Sequence, residues 1–311
     1  MSRFNKISII VAVSTVAVLS SLIITFAADI RPHVGGSFKA IVIEGEIVRG
    51  DFELFEHIVK ENQGQLSSVI IYSPGGDFFE AMKIGRAIRA LELGTLAPPR
   101  NTDGRPLCEA DRSDVVPIPK SPDNCTCASA GFMIYLGGTS RGGKYLAAHR
   151  PYFGKGVFEK LLGVEAKKAF EMLQQSATEY MQEMGVPKHL QDEILATPSD
   201  RALLFDEKTI ATYFSVDQPY LHEWSINKCV RPTAQEKAQY NEYMTRIMRA
   251  KERTDQLLSS EELEDMKRYQ KKDAAMLKCS VDLGKKRLAE AYTKYFGMMP
   301  SDITSRGLVK Q

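Results

Sequence analysis

The sequence predicts an α/β domain with a largely parallel sheet, followed by a C-terminal helical extension. Two observations predict the domain: β-branched runs alternate with stretches of helical spacing across residues 37–225, and a glycine-rich turn joins one predicted strand to the next helix. A third observation predicts the extension, because residues 229–300 show helical periodicity only.

The composition is typical of a globular protein with a sizeable core. Of the 311 residues, 43% are hydrophobic and 26% are charged, which excludes disordered and multi-span membrane chains. The formal net charge is only +2, so the chain lacks the positive field of a nucleic-acid-binding protein. We therefore expect no nucleic-acid partner.

The N-terminus carries an apolar run at residues 7–26, preceded by Arg3 and Lys6. A signal peptide contains about 7 to 15 apolar residues and a membrane-spanning helix about 20, so residues 1–28 are predicted to be a cleaved signal peptide or a signal anchor. In both cases the rest of the chain lies outside the cytoplasm. The protein is then periplasmic or extracytoplasmic, either secreted or tethered to the inner membrane through 7–26.

The first elements of the domain form a strand, helix, strand, helix series. Residues 40–48 (AIVIEGEIV) and 67–72 (SSVIIY) are β-branched and predict strands, whereas 51–61 has helical spacing between them. Residues 77–93 predict a strong amphipathic helix with Asp77 as its N-cap.

The second part of the domain begins with a long aperiodic segment. Residues 94–125 are rich in Pro, Asp and Arg and predict an inserted loop that a disulfide tethers. A buried helix is predicted at 127–138, a short strand at 144–148, and further helices at 157–184 and 187–195.

The extension at 229–300 is predicted to contain two helices, at 233–258 and 260–296. Ser259 and Glu262 fit a capping box at the start of the second helix. Charges of both signs are mixed along the extension, as on the solvated face of a helical hairpin.

Five cysteines fit an oxidising compartment, and one of them must stay unpaired. Cys229 and Cys279 flank a helical stretch, so a disulfide between them would join its two ends. Cys108 could pair with Cys125 or with Cys127. A metal site at Cys125 and Cys127 is a weak hypothesis, since zinc needs four ligands and usually a longer spacer. We expect neither a metal nor a cofactor.

A turn at residues 73–76 could bind a developing negative charge. It ends a predicted strand and begins a helix, so its backbone amides face outward at the positive end of the helix dipole. Gly75 and Gly76 carry no side chain to block the approach of a substrate. The alternative is an ordinary tight turn.

Three polar residues further along the chain could carry chemistry. Ser129 lies among small residues just before an apolar helix, where its hydroxyl would be exposed beside the amide of Ala130. His149 ends a predicted strand, and Asp200 precedes a predicted helix at 202–213. Taken singly, Ser129 and Asp200 are also good helix N-caps, and His149 could be a surface residue.

Together these residues resemble the ClpP/crotonase superfamily, and the Clp protease proteolytic subunit in particular. Ser73-Pro74-Gly75-Gly76 is similar to its SPGG oxyanion loop, and Ala128-Ser129-Ala130-Gly131 to its A-S-M-G nucleophile segment. His149-Arg150-Pro151 resembles its H-Q-P, and Asp200-Arg201 its D-R turn. The resemblance covers residues 37 to about 220.

The resemblance implies a spiral of strand-helix units and a serine peptidase site. Ser129 would be the nucleophile, His149 the general base and Asp200 the residue that orients it. The amides of Gly76 and Ala130 would form the oxyanion hole. It also implies a peptide or protein substrate and a homo-oligomer.

Two departures point away from the energy-dependent family members. The insertion at 94–125 and the extension at 229–300 have no counterpart in ClpP, and ATP is not available outside the cytoplasm. The nearer resemblance is therefore to periplasmic ClpP-like serine proteases that work without ATP.

Three alternatives stay open. Lys83 or Lys144 could replace His149 as the base, as in the Ser-Lys dyads of membrane-facing relatives. A crotonase-like acyl-CoA enzyme would use the same oxyanion hole, but acyl-CoA is cytoplasmic and the export signal argues against it. A third alternative is a catalytically inactive ClpP-fold binding or scaffold protein.

Overall fold

The computed structural model describes residues 27–35, 38–62, 65–108, 116–154, 160–214, 223–224, 227–249 and 258–298. No helix within these ranges combines the length and the apolarity that crossing a membrane requires. The predicted signal peptide or anchor lies almost entirely outside them, since only Ala27 and Ala28 are described.

Five strands form the central sheet in the order of the chain: β1 (Asp29–Gly35), β2 (Phe38–Glu44), β3 (Ser68–Tyr72), β4 (Gly94–Leu96) and β5 (Arg141–Gly142). β1 pairs with β2 in antiparallel fashion, and the other neighbours are parallel. Two short strands, β6 (Ala147–Ala148) and β7 (Leu203–Leu204), form a separate antiparallel pair. The sheet is thus largely parallel, as predicted.

The described helices are α1 (Asp51–Glu61), α2 (Phe78–Ala90), α3 (Ala130–Leu136), α4 (Gly163–Glu183), α5 (Lys188–Ala196), α6 (Glu207–Thr209), α7 (Ala234–Arg249) and α8 (Ser260–Phe296). A π-helical turn at Ile210–Phe214 continues α6. α2 begins where the sequence predicted, because the carboxylate of Asp77 accepts hydrogen bonds from the amides of Phe79 and Glu80, each at 2.9 Å.

Successive turns of the chain stack on one another beyond the carboxyl ends of β2 and β3. Isolated parallel bridges join them: Ile47 with Gly76, Ser73 with Cys127, and Ala128 with Ala147. β6 then pairs with β7. This stacking forms the predicted spiral of strand-helix units, and it brings segments that are distant in the sequence to one edge of the sheet.

The structure differs from the predicted elements in several places: the helix predicted from residue 157 is present as α4 only from Gly163, and β1 was not predicted. The aperiodic segment predicted from residue 94 starts with strand β4, whose three residues are too few to show a period. The helix predicted at 202–213 begins only at α6, where Asp206 accepts a hydrogen bond from the amide of Thr209 at 2.7 Å. Residues 203–204 instead pair with β6, because backbone pairing with a distant strand outweighs the local helical pattern.

The segment after β4 covers the face of the sheet that the main core does not reach. That face carries four buried side chains, from Ala40, Val42, Ile70 and Tyr72. Cys108 and Val116 pack against them, and the hydroxyl of Tyr72 donates a hydrogen bond to the carbonyl oxygen of Pro117 at 2.7 Å. A disulfide joins Cys108 to Cys125 and tethers the described residues that cover this face of the sheet.

The helical extension docks onto the main core through one end of α8. Ala291, Tyr292 and Phe296 are buried there with residues of α1 and α2. The other end of α8 pairs with α7, and the predicted disulfide between Cys229 and Cys279 is present. The extension is therefore a two-helix arm with one end in the core.

The predicted capping box at the start of α8 is also present. The hydroxyl of Ser259 accepts a hydrogen bond from the amide of Glu262 at 3.2 Å. The carboxylate of Glu262 accepts one from the amide of Ser259 at 2.8 Å. This local motif places the first turn of α8 where the sequence predicted it.

Candidate active site

Ser129 occupies the N-cap position of α3 with an unusual backbone conformation. Its φ is 52° and its ψ is −116°, a region that non-glycine residues rarely adopt and that costs about 1 to 3 kcal/mol. Neighbouring segments hold it there, since its amide donates to the carbonyl of Ala147 at 3.1 Å and that of Ala128 donates to the carbonyl of Ser73 at 3.0 Å. The Ser129 hydroxyl makes no capping hydrogen bond within the described residues, and it is therefore available for chemistry.

The predicted oxyanion turn lies directly against this serine. Gly75 and Gly76 have φ values of 131° and 126°, so only glycine fits there without strain. A Cβ on Gly75 would lie 2.7 Å from the Cβ of Ser129, and a Cβ on Gly76 would lie 2.1 Å from the carbonyl oxygen of Ile47. The two glycines thus allow the turn to approach Ser129 closely.

The two amides predicted for the oxyanion hole have no protein partner in the described part of the chain. Neither the N–H of Gly76 nor that of Ala130 donates a hydrogen bond there. Ala130 is the first residue of α3, where amides lack an acceptor within the helix. Unpaired amides near the hydroxyl of a half-buried serine are what a developing oxyanion requires.

His149 has one ring nitrogen fixed by the backbone. Its Nδ1 lies 2.8 Å from the carbonyl oxygen of Arg150. A carbonyl oxygen can only accept, so Nδ1 carries a proton, and in the neutral ring Nε2 then has the lone pair. This is the tautomer that a general base beside a serine needs.

Asp200 is exposed and makes no hydrogen bond with His149 among the described residues. It lies in a turn in which the amide of Arg201 donates to the carbonyl of Pro198 at 3.1 Å. The amide of Arg150 donates to the carbonyl of Thr197 at 3.0 Å, so this turn and the histidine segment are neighbours. In the structure, however, the partner of Nδ1 is the Arg150 carbonyl.

The two lysines considered as alternative bases lie outside the cavity that Ser129 lines. Lys83 forms an ion pair with Glu80 at 2.5 Å, and the hydrogen bond to that carboxylate raises the pKa of Lys83. A raised pKa keeps the amine protonated, which makes it a poor base. Lys144 is exposed and lies 3.3 Å from Glu207.

Ser129, His149 and Gly76 line one cavity of about 410 Å³. Its apolar wall was not anticipated from the sequence and comprises Ile47, Val48, Phe78, Phe79, Met133, Pro151, Tyr152, Phe153 and Leu173. The aromatic pairs that directly follow the Gly75-Gly76-Asp77 turn and the His149 segment were the signal that could have revealed it. The volume and the apolar lining suit part of an organic substrate.

Metal and thiol chemistry have no support in the described residues. No group of three or more His, Cys, Asp and Glu side chains there could hold a metal ion. The unpaired cysteine, Cys127, is fully buried, and burial raises the pKa of its thiol. A protonated, inaccessible thiol is a poor nucleophile.

No protein-family model matches the chain. No curated protein matches it by sequence either.

Among solved structures, the chain is similar to a membrane-bound stomatin-specific protease in two mutant forms, one of them in complex with a substrate peptide. The identities are 19% and 18%, each with a TM-score of 0.36, and the matches cover 57% and 61% of this chain and 72% and 82% of the protease. A probable enoyl-CoA hydratase/isomerase from Mycobacterium abscessus matches at 9% identity with a TM-score of 0.32, covering 78% of this chain and 88% of that one.

The described part of the chain has the spiral architecture that the resemblance to the ClpP/crotonase superfamily implies. Its stacked strand-helix turns, its largely parallel sheet and the position of the glycine turn against the start of α3 define it. Proteins of this type carry out different reactions on one scaffold, so the function of this chain has to be inferred from its own residues.

Proposed function

We propose that the chain is an extracytoplasmic serine hydrolase, an ATP-independent endopeptidase that acts on peptide or protein substrates. The observation that carries the proposal is the conformation of Ser129. Its strained backbone leaves the hydroxyl uncapped, next to the unpaired amides of Gly76 and Ala130 and in the same cavity as His149.

In the proposed reaction the Oγ of Ser129 attacks the carbonyl carbon of the substrate while Nε2 of His149 takes the hydroxyl proton. The carbonyl oxygen becomes an oxyanion that the amides of Gly76 and Ala130 stabilise. The C–N bond then breaks, and the amine leaves with the proton from His149. Water, deprotonated by His149, hydrolyses the acyl-enzyme and releases Ser129.

The proposed orientation of the base differs from the Ser-His-Asp triad that the sequence predicted. The Arg150 carbonyl accepts a hydrogen bond from Nδ1–H of His149 and can hold the ring and its tautomer. We therefore propose a Ser-His pair oriented by a backbone carbonyl. The part of Asp200 remains a prediction that mutation can test.

The compartment is proposed from the disulfides and the N-terminal sequence. Cys108–Cys125 and Cys229–Cys279 both form, as an oxidising environment allows. With the apolar run 7–26, they support a periplasmic or extracytoplasmic enzyme that is secreted or tethered to the inner membrane. A homo-oligomer remains an expectation from the family resemblance.

One observation favours the inactive binding or scaffold protein instead. Within the described residues, the hydroxyl of Ser129 makes no hydrogen bond with His149. In active enzymes such bonds often shorten only when substrate binds, so a reagent that reports reactivity has to decide.

A fluorophosphonate tests the proposal directly. We expect the purified protein to form a covalent adduct that mass spectrometry locates on Ser129, because only an activated serine reacts with this probe. Ser129→Ala should abolish the adduct, and Ser140→Ala, at an exposed serine, should retain it. No adduct on folded wild-type protein would favour the scaffold.

A further inference from the structure

We propose that the catalytic cavity opens at the surface of the membrane that holds residues 7–26, and that its substrates are peptide segments flanking membrane-spanning stretches on the extracytoplasmic side. The inference rests on the proposed hydrolase function and on an uncleaved N-terminal anchor. It is carried by the position of Ala28, two residues after the apolar run ends.

The pairing of β1 with β2 is the first contact that places Ala28 beside the cavity. Asp29 pairs with Glu44 at the end of this antiparallel ladder. Ala28 continues the register, since its Cα lies 4.0 Å from the position that a Cβ on Gly45 would take. The next residue on that strand segment, Glu46, lines the cavity.

Asp51 provides the second contact. Its buried carboxylate accepts a hydrogen bond from the amide of Val48 at 2.8 Å and another from the amide of Ala28, and Val48 lines the cavity. Two hydrogen bonds to one carboxylate hold the two amides within about 8 Å of each other. Ala28 is only 3% exposed, so the chain enters the domain at a fixed point close to Val48, a residue of the cavity wall.

The remaining distance to the membrane is short. The two residues from Phe26 to Ala28 span at most about 7 Å when extended, so the apolar run ends within about 15 Å of the cavity wall. A substrate strand that leaves the same bilayer would need only about five residues, at roughly 3.4 Å each, to cover the same distance to the cavity wall. Segments much farther from the membrane would have to fold back to enter.

The mouth of the cavity carries side chains suited to a lipid headgroup region. Phe79 and Tyr152 line the cavity yet are 46% and 55% exposed. Tyrosine concentrates at membrane-water interfaces, and exposed apolar side chains grouped beside a cavity mark an interaction site. The bilayer is the occupant that we propose, because Ala28, which leads to 7–26, lies close to the cavity residue Val48.

Fluorescence quenching tests the position of the cavity without any need for activity. The chain has one tryptophan, Trp224, so Trp224→Phe gives a silent background. Phe79→Trp in this background, as full-length protein in phosphatidylcholine vesicles with brominated chains, should lose fluorescence relative to vesicles without bromine. Met248→Trp, at an exposed site on α7 (71% exposed), should not. Equal quenching at both sites, or none at 79, would overturn the proposal.

A spacer experiment tests the substrate class. Single-span reporters carry one cleavable sequence at about 5, 15 or 40 residues from the membrane, and the sequence is also supplied as a soluble peptide. The wild type should cut the nearest sites best. A helical spacer of about 20 residues between Phe26 and Ala27, which adds roughly 30 Å, should move the preferred site outward. The same spacer after Gln311 should leave the preference unchanged.

The outcomes separate this inference from the proposed function. Equal cleavage at all distances, an unmoved preference in the spacer variant, or a mature protein without residues 7–26 would overturn the membrane-surface proposal. Failure to cut even the soluble peptide would contradict the hydrolase and, with it, the substrate assignment. The quenching result would still show where the cavity lies.

Discussion

The chemistry proposed for this protein depends on backbone conformation at a few residues. Ser129 is held at a φ of 52° only because hydrogen bonds on both sides fix its neighbours, and Gly76 is required because a side chain there would meet the carbonyl of Ile47. A strained residue persists only where its surroundings determine it. The hydroxyl and the oxyanion amides are therefore preorganised together.

Gly76→Ala should impair the oxyanion hole. The added Cβ would lie 2.1 Å from the Ile47 carbonyl oxygen at a φ of 126°, so the turn must move and its amide with it. We expect fluorophosphonate labelling of Ser129 to slow by about 10² to 10³-fold. Gly154→Ala is the matched control in the same cavity, with nothing within 4 Å of the added Cβ. Equal rates for the two variants would argue against the role of Gly76.

Asp200→Asn should change the labelling rate by less than about tenfold, because the Arg150 carbonyl already fixes the tautomer of His149. His149→Ala should slow labelling by more than about 10³-fold, since it removes the base. Both rates are measured over a range of pH. A loss of about 10⁴-fold in Asp200→Asn would instead establish the Ser-His-Asp triad.

At the scale of elements, Glu80 links α1 to α2 beside the cavity. Its buried carboxylate accepts hydrogen bonds from the amides of Gly50 and Phe52 at 3.2 and 3.1 Å and from Lys83 at 2.5 Å. Burial alone would raise its pKa, but the hydrogen bond from Lys83 and those from the two amides outweigh burial and lower it. The ionised carboxylate thus stabilises the fold and positions the start of α2.

Glu80→Gln should lower the free energy of unfolding by about 2 kcal/mol at pH 7, since charge-assisted hydrogen bonds are lost. The pKa of Glu80 is lowered in the folded state, so its stabilisation is present above pH 4.5, the ordinary value for glutamate, and disappears as the pH falls further. In urea unfolding, the difference in the free energy of unfolding between the wild type and Glu80→Gln should therefore shrink as the pH falls below 4.5. Glu171→Gln, at an exposed ion pair, should have little effect on the free energy of unfolding at pH 7 or below pH 4.5. A difference independent of pH would contradict this account.

At the scale of the whole molecule, two additions surround the spiral. Residues next to the Cys108–Cys125 disulfide cover the face of the sheet that the main core does not reach. The apolar side chains of that face would otherwise be exposed to water. The arm of α7 and α8 touches the core at one end of α8. The first addition buries an apolar face of the sheet. The second extends from the core, and none of its described residues lines the cavity.

Replacing both Cys229 and Cys279 by serine should loosen the arm and leave the site intact. Their disulfide closes a loop with a sequence separation of 50, and its loss should cost the arm about 4 kcal/mol. Hydrogen exchange should rise in α7, while the labelling rate of Ser129 stays within about twofold of the wild type. If the labelling rate of Ser129 falls when hydrogen exchange in the arm rises, the arm supports the site.

Elements with a long local pattern were predictable, and those without one were not. α8 begins and ends at the predicted residues because 37 residues of helical spacing and a capping box define it. β4, β5 and β7 have two or three residues each, and such pieces become strands only through partners far away in the sequence. The same holds for the start of α6, where pairing with β6 displaced a predicted helix.

Local sequence is enough to specify the alternation of strands and helices, the glycine turn before α2 and the serine before α3, since each follows from neighbouring residues. The φ of Ser129, the partner of His149 Nδ1 and the place of Ala28 beside the cavity were decided only by the tertiary structure. Each depends on contacts between segments that are distant in the chain or on the path of the backbone. Segments that are distant in the chain come together only when long loops close, and a local sequence pattern cannot predict those contacts.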